Sequence, residues 1–210
     1  MNNLSIVLST YNEENNIKQT LAKLLNNTSI KEVIIVDDSS TDNTVNIINH
    51  LKNDKIKLFI RKTTKGFASA FIFGVVMSSG KYILRFDLDM HTEIDFFIKT
   101  FEENKDKDCV IFSRYVNNGS DSRGSYRKIS SLLLNTICQY LLSKKIKDYT
   151  SCIMFFKRDL LSDIFPQNSY YANFIIEFVF SLILKNKDFL EIGFIQTKNT
   201  ELNSKSAPNI

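Results

Sequence analysis

Short runs of aliphatic and β-branched residues alternate along this chain with stretches whose apolar residues recur every three or four positions. The first kind reads as buried strands and the second as helices with one apolar stripe. Strands are expected from Ser5 to Leu8, from Glu32 to Val36, from Ile56 to Ile60 and from Lys81 to Phe86. Between them, helices are expected from Asn16 to Leu25, from Thr44 to Leu51 and from Gly66 to Met77, with Gly80 read as a carboxyl-terminal cap. Gly66 and Gly74 read as close-packing positions. Such alternation predicts an α/β fold built on a mostly parallel sheet flanked by helices.

The pattern loosens after about Phe112. Asn117 to Gly124 is a polar, turn-rich loop. A helix is expected from about Arg127 to Leu142, striped by Ile129, Leu132, Leu133, Thr136, Ile137 and Tyr140. It reads as an ordinary core helix, with Lys144-Lys145-Ile146-Lys147 as a solvated turn behind it. The alternative is that helix and lysines face anionic membrane lipid, where basic residues contribute about 1 kcal/mol each. A strand from Cys152 to Phe156, a helix from Phe174 to Leu184, a strand from Phe189 to Ile195 and a polar tail from Thr197 complete the reading. The 210 residues suit a single domain, 1–210.

Charge and cysteine content narrow the classes. Lys plus Arg number 27 against 23 Asp plus Glu, and a net charge of +4 is too mild to indicate nucleic acid, though it leaves room for a local anion site. Cys109, Cys138 and Cys152 are far apart and form no CxxC pair, which argues against a disulfide framework or zinc site and for a reducing compartment. The start, Met1-Asn2-Asn3-Leu4-Ser5, has no signal-peptide pattern. Asn173 to Leu184 is interrupted by Glu177 and falls short of the roughly 20 apolar residues of a membrane span. A cytoplasmic chain is expected, working from the membrane surface if it meets a membrane at all.

The candidate chemistry sits where strands end. In an open parallel sheet, ligands bind outside the carboxyl ends of the strands. The first strand runs into Ser9-Thr10-Tyr11-Asn12-Glu13-Glu14, the second into Asp37-Asp38-Ser39-Ser40-Thr41-Asp42, and the fourth into Asp87-Leu88-Asp89-Met90-His91. Each alone suits helix capping or a solvated turn, and Thr41 or Asp42 needs no further role. Together, several carboxylates on one edge repel one another unless a cation joins them. Oxygen ligands favour Mg²⁺ or Mn²⁺, and an imidazole at His91 tilts the choice toward Mn²⁺. No GxxxxGK[ST] or GxGxxG follows the first strand, which disfavours a P-loop ATPase or a nicotinamide dehydrogenase.

The runs Val7-Leu8-Ser9-Thr10-Tyr11-Asn12-Glu13-Glu14-Asn15-Asn16-Ile17, Val33 through Thr44 and Asp87-Leu88-Asp89 resemble glycosyltransferase family 2 in order and spacing. The resemblance implies the GT-A fold, with a Rossmann-like nucleotide-sugar-binding half, 1–115, and an acceptor-side half, 116–210. Gly66-Phe67-Ala68-Ser69-Ala70, Ser113-Arg114-Tyr115, the Arg127, Ser131, Asn135 spacing, Asp148-Tyr149-Thr150-Ser151-Cys152, Glu177 and Ser204-Lys205 look like the dolichyl-phosphate mannose synthase branch. It implies that Ser9, Tyr11, Glu13, Val36 and Asp38 hold base and ribose, with Asp37 as stand-in for Asp38. Asp87 then contacts the sugar or ribose, and Asp89 and His91 ligate the metal. Arg114, Arg127 and Lys205 meet donor or acceptor phosphates.

Three departures bear on acceptor and sugar. Ser9 stands where the family has Pro, Met154 where the branch has Arg, and Lys198 lies one position off, with Asn199 in register. The expected reaction is inverting transfer of a hexose from a nucleoside diphosphate sugar to a polyprenyl phosphate. A saccharide hydroxyl in capsule, O-antigen or glycan synthesis is the alternative acceptor, and a non-catalytic nucleotide-sugar binder is a third reading. A phosphate acceptor needs no base, whereas a hydroxyl does, and Asp148 is the candidate for it. The branch often carries membrane helices that this sequence does not show, so a membrane subunit or surface contact enters as an expected partner.

Overall fold

The computed structural model describes residues 3–164 and 174–196. In chain order the elements are β1 (Leu4–Thr10), α1 (Glu14–Leu25), β2 (Ile30–Asp37), α2 (Thr44–His50), β3 (Ile56–Ile60), α3 (Phe67–Met77) and β4 (Tyr82–Arg85). A 3₁₀ turn over Leu88–Glu93 leads into α4 (Ile94–Asn104) and β5 (Cys109–Ser113). Then come β6 (Ser120–Asp121), α5 (Ser125–Leu141), β7 (Met154–Lys157), α6 (Leu160–Asp163), α7 (Phe174–Leu184), β8 (Phe189–Gly193) and β9 (Ile195–Gln196).

Seven strands form one sheet in the order β3-β2-β1-β4-β7-β5-β8, and only β7 runs antiparallel to its neighbours. β6 and β9 form a separate two-residue parallel ladder. The strands alternate between two cores. Leu4, Ile6 and Leu8 join α1 and α4 on one face, while Val7, Ile34 and Val36 join α3 and α7 on the other. Phenylalanines fill much of both, as in the Phe97–Phe112 contact at 4.7 Å between centroids. Gly74 is the close-packing position its sequence context predicts: a Cβ there would lie 2.5 Å from Val7 Cγ1.

Three expectations change. Gly80 does not cap α3; Ser78 ends it in extended conformation, and Gly80 instead slips under Ser5, where a Cβ would meet Oγ at 2.4 Å. Gly66 is more than a packing residue, because its φ of 136° lets the chain turn into α3 in a conformation that L side chains avoid. The helix expected as an ordinary core element, α5, turns its polar side inward. Asn135 and Cys138 are buried, whereas Ile129, Leu133, Ile137 and Tyr140 are exposed. α4 and β5 were not foreseen, although Ile94, Phe97, Ile98 and Phe101 carry a helical stripe and Cys109–Ser113 is buried throughout.

The amino-terminal edge of the sheet is tied by Glu32. Its carboxylate accepts from Ser5 Oγ (2.6 Å) on β1, Lys57 Nζ (2.6 Å) on β3, and Ser79 N (2.6 Å) just before β4. Burial acts to raise its pKa, but these donors, Lys57 foremost, outweigh it and hold the carboxyl at about 2. The folded-state value lies below the usual 4.5, so the stabilisation is complete above that pH and fades as the pH falls toward 2. Glu32→Gln is therefore expected to lower stability at pH 7 by about 2 kcal/mol. It should also flatten the loss across that acid window in urea titrations, and equal acid sensitivity of parent and variant would contradict the assignment.

Candidate active site

The carboxyl ends of β1, β2 and β4 lie side by side, and the loops that leave them are bound together. Asp37 is fully buried; it accepts from Thr10 Oγ1 (2.7 Å), Ser40 N (2.7 Å) and Ser40 Oγ (2.6 Å). The sequence left Asp37 and Asp38 interchangeable, and the geometry separates them. Asp37 braces the turn, while Asp38 sits beyond it, partly open. Asp38 accepts from Arg61 Nε (2.7 Å) and Gly66 N (2.8 Å), and its own N–H donates to Thr10 O (3.0 Å).

Asn12 and Ser39, at φ of 55° and 61°, adopt left-handed conformations that side chains must hold in place. Asn12 Oδ1 accepts from Thr41 N at 2.7 Å, and Asn12 N donates to Ser40 Oγ at 2.8 Å. Asp42 caps α2 through Thr44 N (3.0 Å) and also accepts from Glu14 N (3.1 Å) at the start of α1. Its structural reading suffices. Ser9 is half-buried at the end of β1, Val36 is buried in β2, and Tyr11 stands exposed on the loop between.

Asp87, Asp89 and His91 follow β4 through the 3₁₀ turn, which Thr20 anchors by donating to Leu88 O at 3.0 Å. Asp89 Oδ1 and His91 Nδ1 are buried and lack a hydrogen-bond partner among the described residues. Burial first, then the charges of Asp87 and Glu13, push the Asp89 carboxyl up to about 7. Glu13 belongs to the β1 loop, so carboxylates from separate segments do converge. Among the described residues no three His, Cys, Asp or Glu side chains are arranged to enclose a metal ion. A cation at Asp89 and His91 would take further ligands from its substrate, as Mg²⁺ does with phosphates. The orphaned oxygen, the orphaned imidazole nitrogen and the raised carboxyl pKa fit such an ion.

Two cations at this edge escaped the sequence reading. Arg85, buried in β4, bonds Asp87 and donates to Cys152 O (2.6 Å), with its guanidinium 4.4 Å from the Phe67 centroid. Arg61, just past β3, reaches Ser69 Oγ (3.0 Å) and Gly66 O (3.1 Å) besides Asp38. The signal for Arg61 lies in its position directly after Ile60, the last residue of β3, at the same edge as the carboxylates. Arg85 was hidden inside an apolar run. The large cleft of about 410 Å³ beside Ser29, Lys81 and Tyr82 opens at the opposite, amino-terminal edge, away from these carboxylates.

The acceptor-side candidates are arranged differently from expectation. Arg114 and Asp148 do not face an open edge: Arg114 donates Nε (2.8 Å) and Nη2 (2.7 Å) to the two oxygens of Asp148, and both side chains are buried. Thr150 and Asn135 add donors to Asp148 Oδ1 (3.1 and 3.4 Å). Asp148 thus has both oxygens engaged, and Arg114 commits Nε and Nη2 to it while Nη1 lies 3.5 Å from Gln196 Oε1. Ser131 and Asn135 of the spaced triplet also turn inward, Ser131 to Arg123 (2.9 Å) and Asn135 to Tyr149 N (2.6 Å). Arg127 is half-buried in the first turn of α5, and among the described residues it makes no polar contact with Asp87 or Asp89. Lys205, Lys198 and Asn199 lie outside the described residues. Asp148→Ala is expected to cost about 3–5 kcal/mol in chemical denaturation, the range for stripping one partner from a buried pair. A loss below about 1 kcal/mol would instead return Asp148 to the list of exposed functional groups.

Comparison with known proteins gives this geometry a family. The chain is 34% identical over 127 residues to an uncharacterized glycosyltransferase of Rickettsia bellii, covering 59% of this chain and 18% of that protein. It is 27% identical over 168 residues to poly-beta-1,6-N-acetyl-D-glucosamine synthase of Staphylococcus epidermidis, covering 77% and 41% respectively. The chain thus spans less than half the length of either curated relative. Glucosyl-3-phosphoglycerate synthase of Mycobacterium tuberculosis, solved with Mn²⁺, UDP and phosphoglyceric acid, superposes with a TM-score of 0.70 at 16% identity over 91% of this chain and 68% of that one. S. aureus TarS 1-349 superposes at 0.60 with 22% identity over 92% and 60%. The helix-flanked, mostly parallel sheet is accordingly the GT-A fold. The Glycosyl transferase family 2 model matches residues 5–165, more than three quarters of the sequence, and the chain belongs to that family.

Proposed function

We propose that this chain transfers a hexose from a nucleoside diphosphate sugar to a polyprenyl phosphate, with inversion, using Mg²⁺ or Mn²⁺ at Asp89 and His91. The observation that carries the reading is the buried, unpartnered Asp89 Oδ1, which feels the charges of Asp87 and Glu13, together with the buried, unpartnered His91 Nδ1 two residues on. Such a site is electrostatically incomplete without a cation. When bound, the ion supplies Lewis-acid stabilisation of the departing diphosphate. Neighbouring folds were solved with UDP and Mn²⁺ or Mg²⁺, which makes UDP-sugars the first donors to test.

In this reading residues 1–115 hold the donor and 116–210 the acceptor. Tyr11 offers an exposed ring to the base, with Ser9, Glu13, Val36 and Asp38 around base and ribose. Asp87, kept in one orientation by Arg85, meets the sugar or ribose. Arg127, and Lys205 beyond the described residues, are the cations assigned to phosphates. A phosphate monoester is already anionic near neutral pH and needs no proton removed. The engagement of Asp148 by Arg114 occupies the residue named as candidate base for a hydroxyl acceptor, which favours an acceptor that needs no proton removed.

The second reading, a saccharide hydroxyl as acceptor, draws on the name of the S. epidermidis relative. A donor panel read by thermal denaturation separates both from a non-catalytic role. A bound nucleotide sugar at about a hundred times its Kd adds about 2.7 kcal/mol, and Asp89→Ala should abolish the Mn²⁺-dependent part of that gain. Full metal dependence in the variant would refute the assigned ligands. Radiolabelled hexose should enter an organic-extractable lipid; label confined to water-soluble glycan would select the second reading.

A further inference from the structure

α5 is an inverted helix. Its inward side carries Ser131, bonded to Arg123, and Asn135, bonded to Tyr149 and Thr150, with Cys138 packed into the core beside them. Its outward stripe, at spacings of three and four, carries Tyr126, Ile129, Leu133, Ile137, Tyr140 and Leu141. These are open to solvent: 81% for Tyr126, 64% for Ile129, 61% for Leu133, 83% for Tyr140 and 68% for Leu141. A helix in contact only with water has the opposite polarity, and an apolar surface of this length marks an interaction site.

The occupant is indicated by charge. From residue 124 to residue 147 the sequence has five cations, Arg127, Lys128, Lys144, Lys145 and Lys147, and no Asp or Glu, while Arg123 just before them is paired with Asp121. That local excess is larger than the net charge of the whole chain, +4. A second copy docked on this face would bring like charges together. Anionic lipid would not, and a tyrosine at each end of the stripe suits the headgroup boundary, where one end of the ring is apolar and the other wet. At 17 residues the helix is about 26 Å long and lies on a bilayer rather than through one; among the described residues no helix can span a membrane.

We infer that the outward stripe of α5, flanked by its lysines, docks this chain on an anionic membrane surface. The inference is independent of the acceptor assigned above, since it concerns binding alone. It also has a functional direction. Asn135 of α5 contacts Thr150 (3.0 Å), and two residues further Cys152 O meets Arg85, the partner of Asp87. The inward side of α5 is thus connected to the edge where the carboxylates converge, so the docked helix and that edge share one set of contacts.

Flotation of the full chain with phosphatidylglycerol vesicles tests this. Binding is expected to these vesicles and not to phosphatidylcholine, and to fall by at least about tenfold in Lys144→Glu/Lys145→Glu or in high salt. Leu133→Glu, and separately Ile129→Ser, should lose binding while circular dichroism and UDP affinity stay unchanged. Both sites are exposed, so folding should be retained. Absence of vesicle binding, or equal binding to both lipids, would overturn the proposal. So would a lipid-free dimer that Leu133→Glu dissolves, which assigns the face to a second copy. A lipid-free monomer that ignores vesicles and cross-links Lys128 to Lys205 would assign it to the chain's own tail.

Discussion

Like charges held together under a lid of loops are the constraint around which this molecule is organised. Glu13 arrives from β1 and Asp87 and Asp89 from β4, and burial, reinforced by the two neighbouring charges, pushes the Asp89 carboxyl up to about 7. Such crowding persists only if the backbone that carries it cannot relax. The left-handed Asn12 and Ser39, the buried Asp37 and the Asp42 clip on two helix starts supply that rigidity. Arg85 and Arg61 each offset one carboxylate and leave Asp89 without a direct cation partner. The sheet thus balances its structural carboxylates within the protein and leaves Asp89 Oδ1 without a hydrogen-bond partner among the described residues.

The second half solves a different problem. β5, α5 and the segment before β7 must meet without a large apolar contact, because α5 presents little but polar groups inward. A guanidinium locked to a carboxylate, with an asparagine, a threonine and Glu191 as supporting partners, does the work that leucines do elsewhere. A buried pair of this kind is sensitive to any loss of a partner, which ties the second half to fixed geometry. The apolar residues that would otherwise have packed this helix are left outside.

Much of the first half was legible. Buried strands written as Val-Ile-Ile-Val and amphipathic α1 declare themselves by period, and the strand-end carboxylates stand out because their residue types are costly in such positions. What periodicity misses is direction. The stripe on α5 was visible, and its orientation was not, since an apolar stripe looks the same whether it faces a core or a bilayer. Arg114 and Asp148 had the residue types of catalytic groups, but a sequence cannot tell two functional ions from one pair that consumes itself. Asp37 and Asp38 differed by a single step along a strand, and pleating alone decided which was buried.

The reversed direction of β7 has one more consequence. Because it enters the sheet from the catalytic edge, pairing Met154 with Arg85 and with Ile111, the long excursion from β5 is forced to return through the active-site rim before it can rejoin the sheet. Everything inserted in that excursion is delivered to the same place without disturbing the order of β3, β2, β1 and β4. A scaffold wired this way can vary one detour at that rim while the order of the strands that carry the carboxylates stays intact.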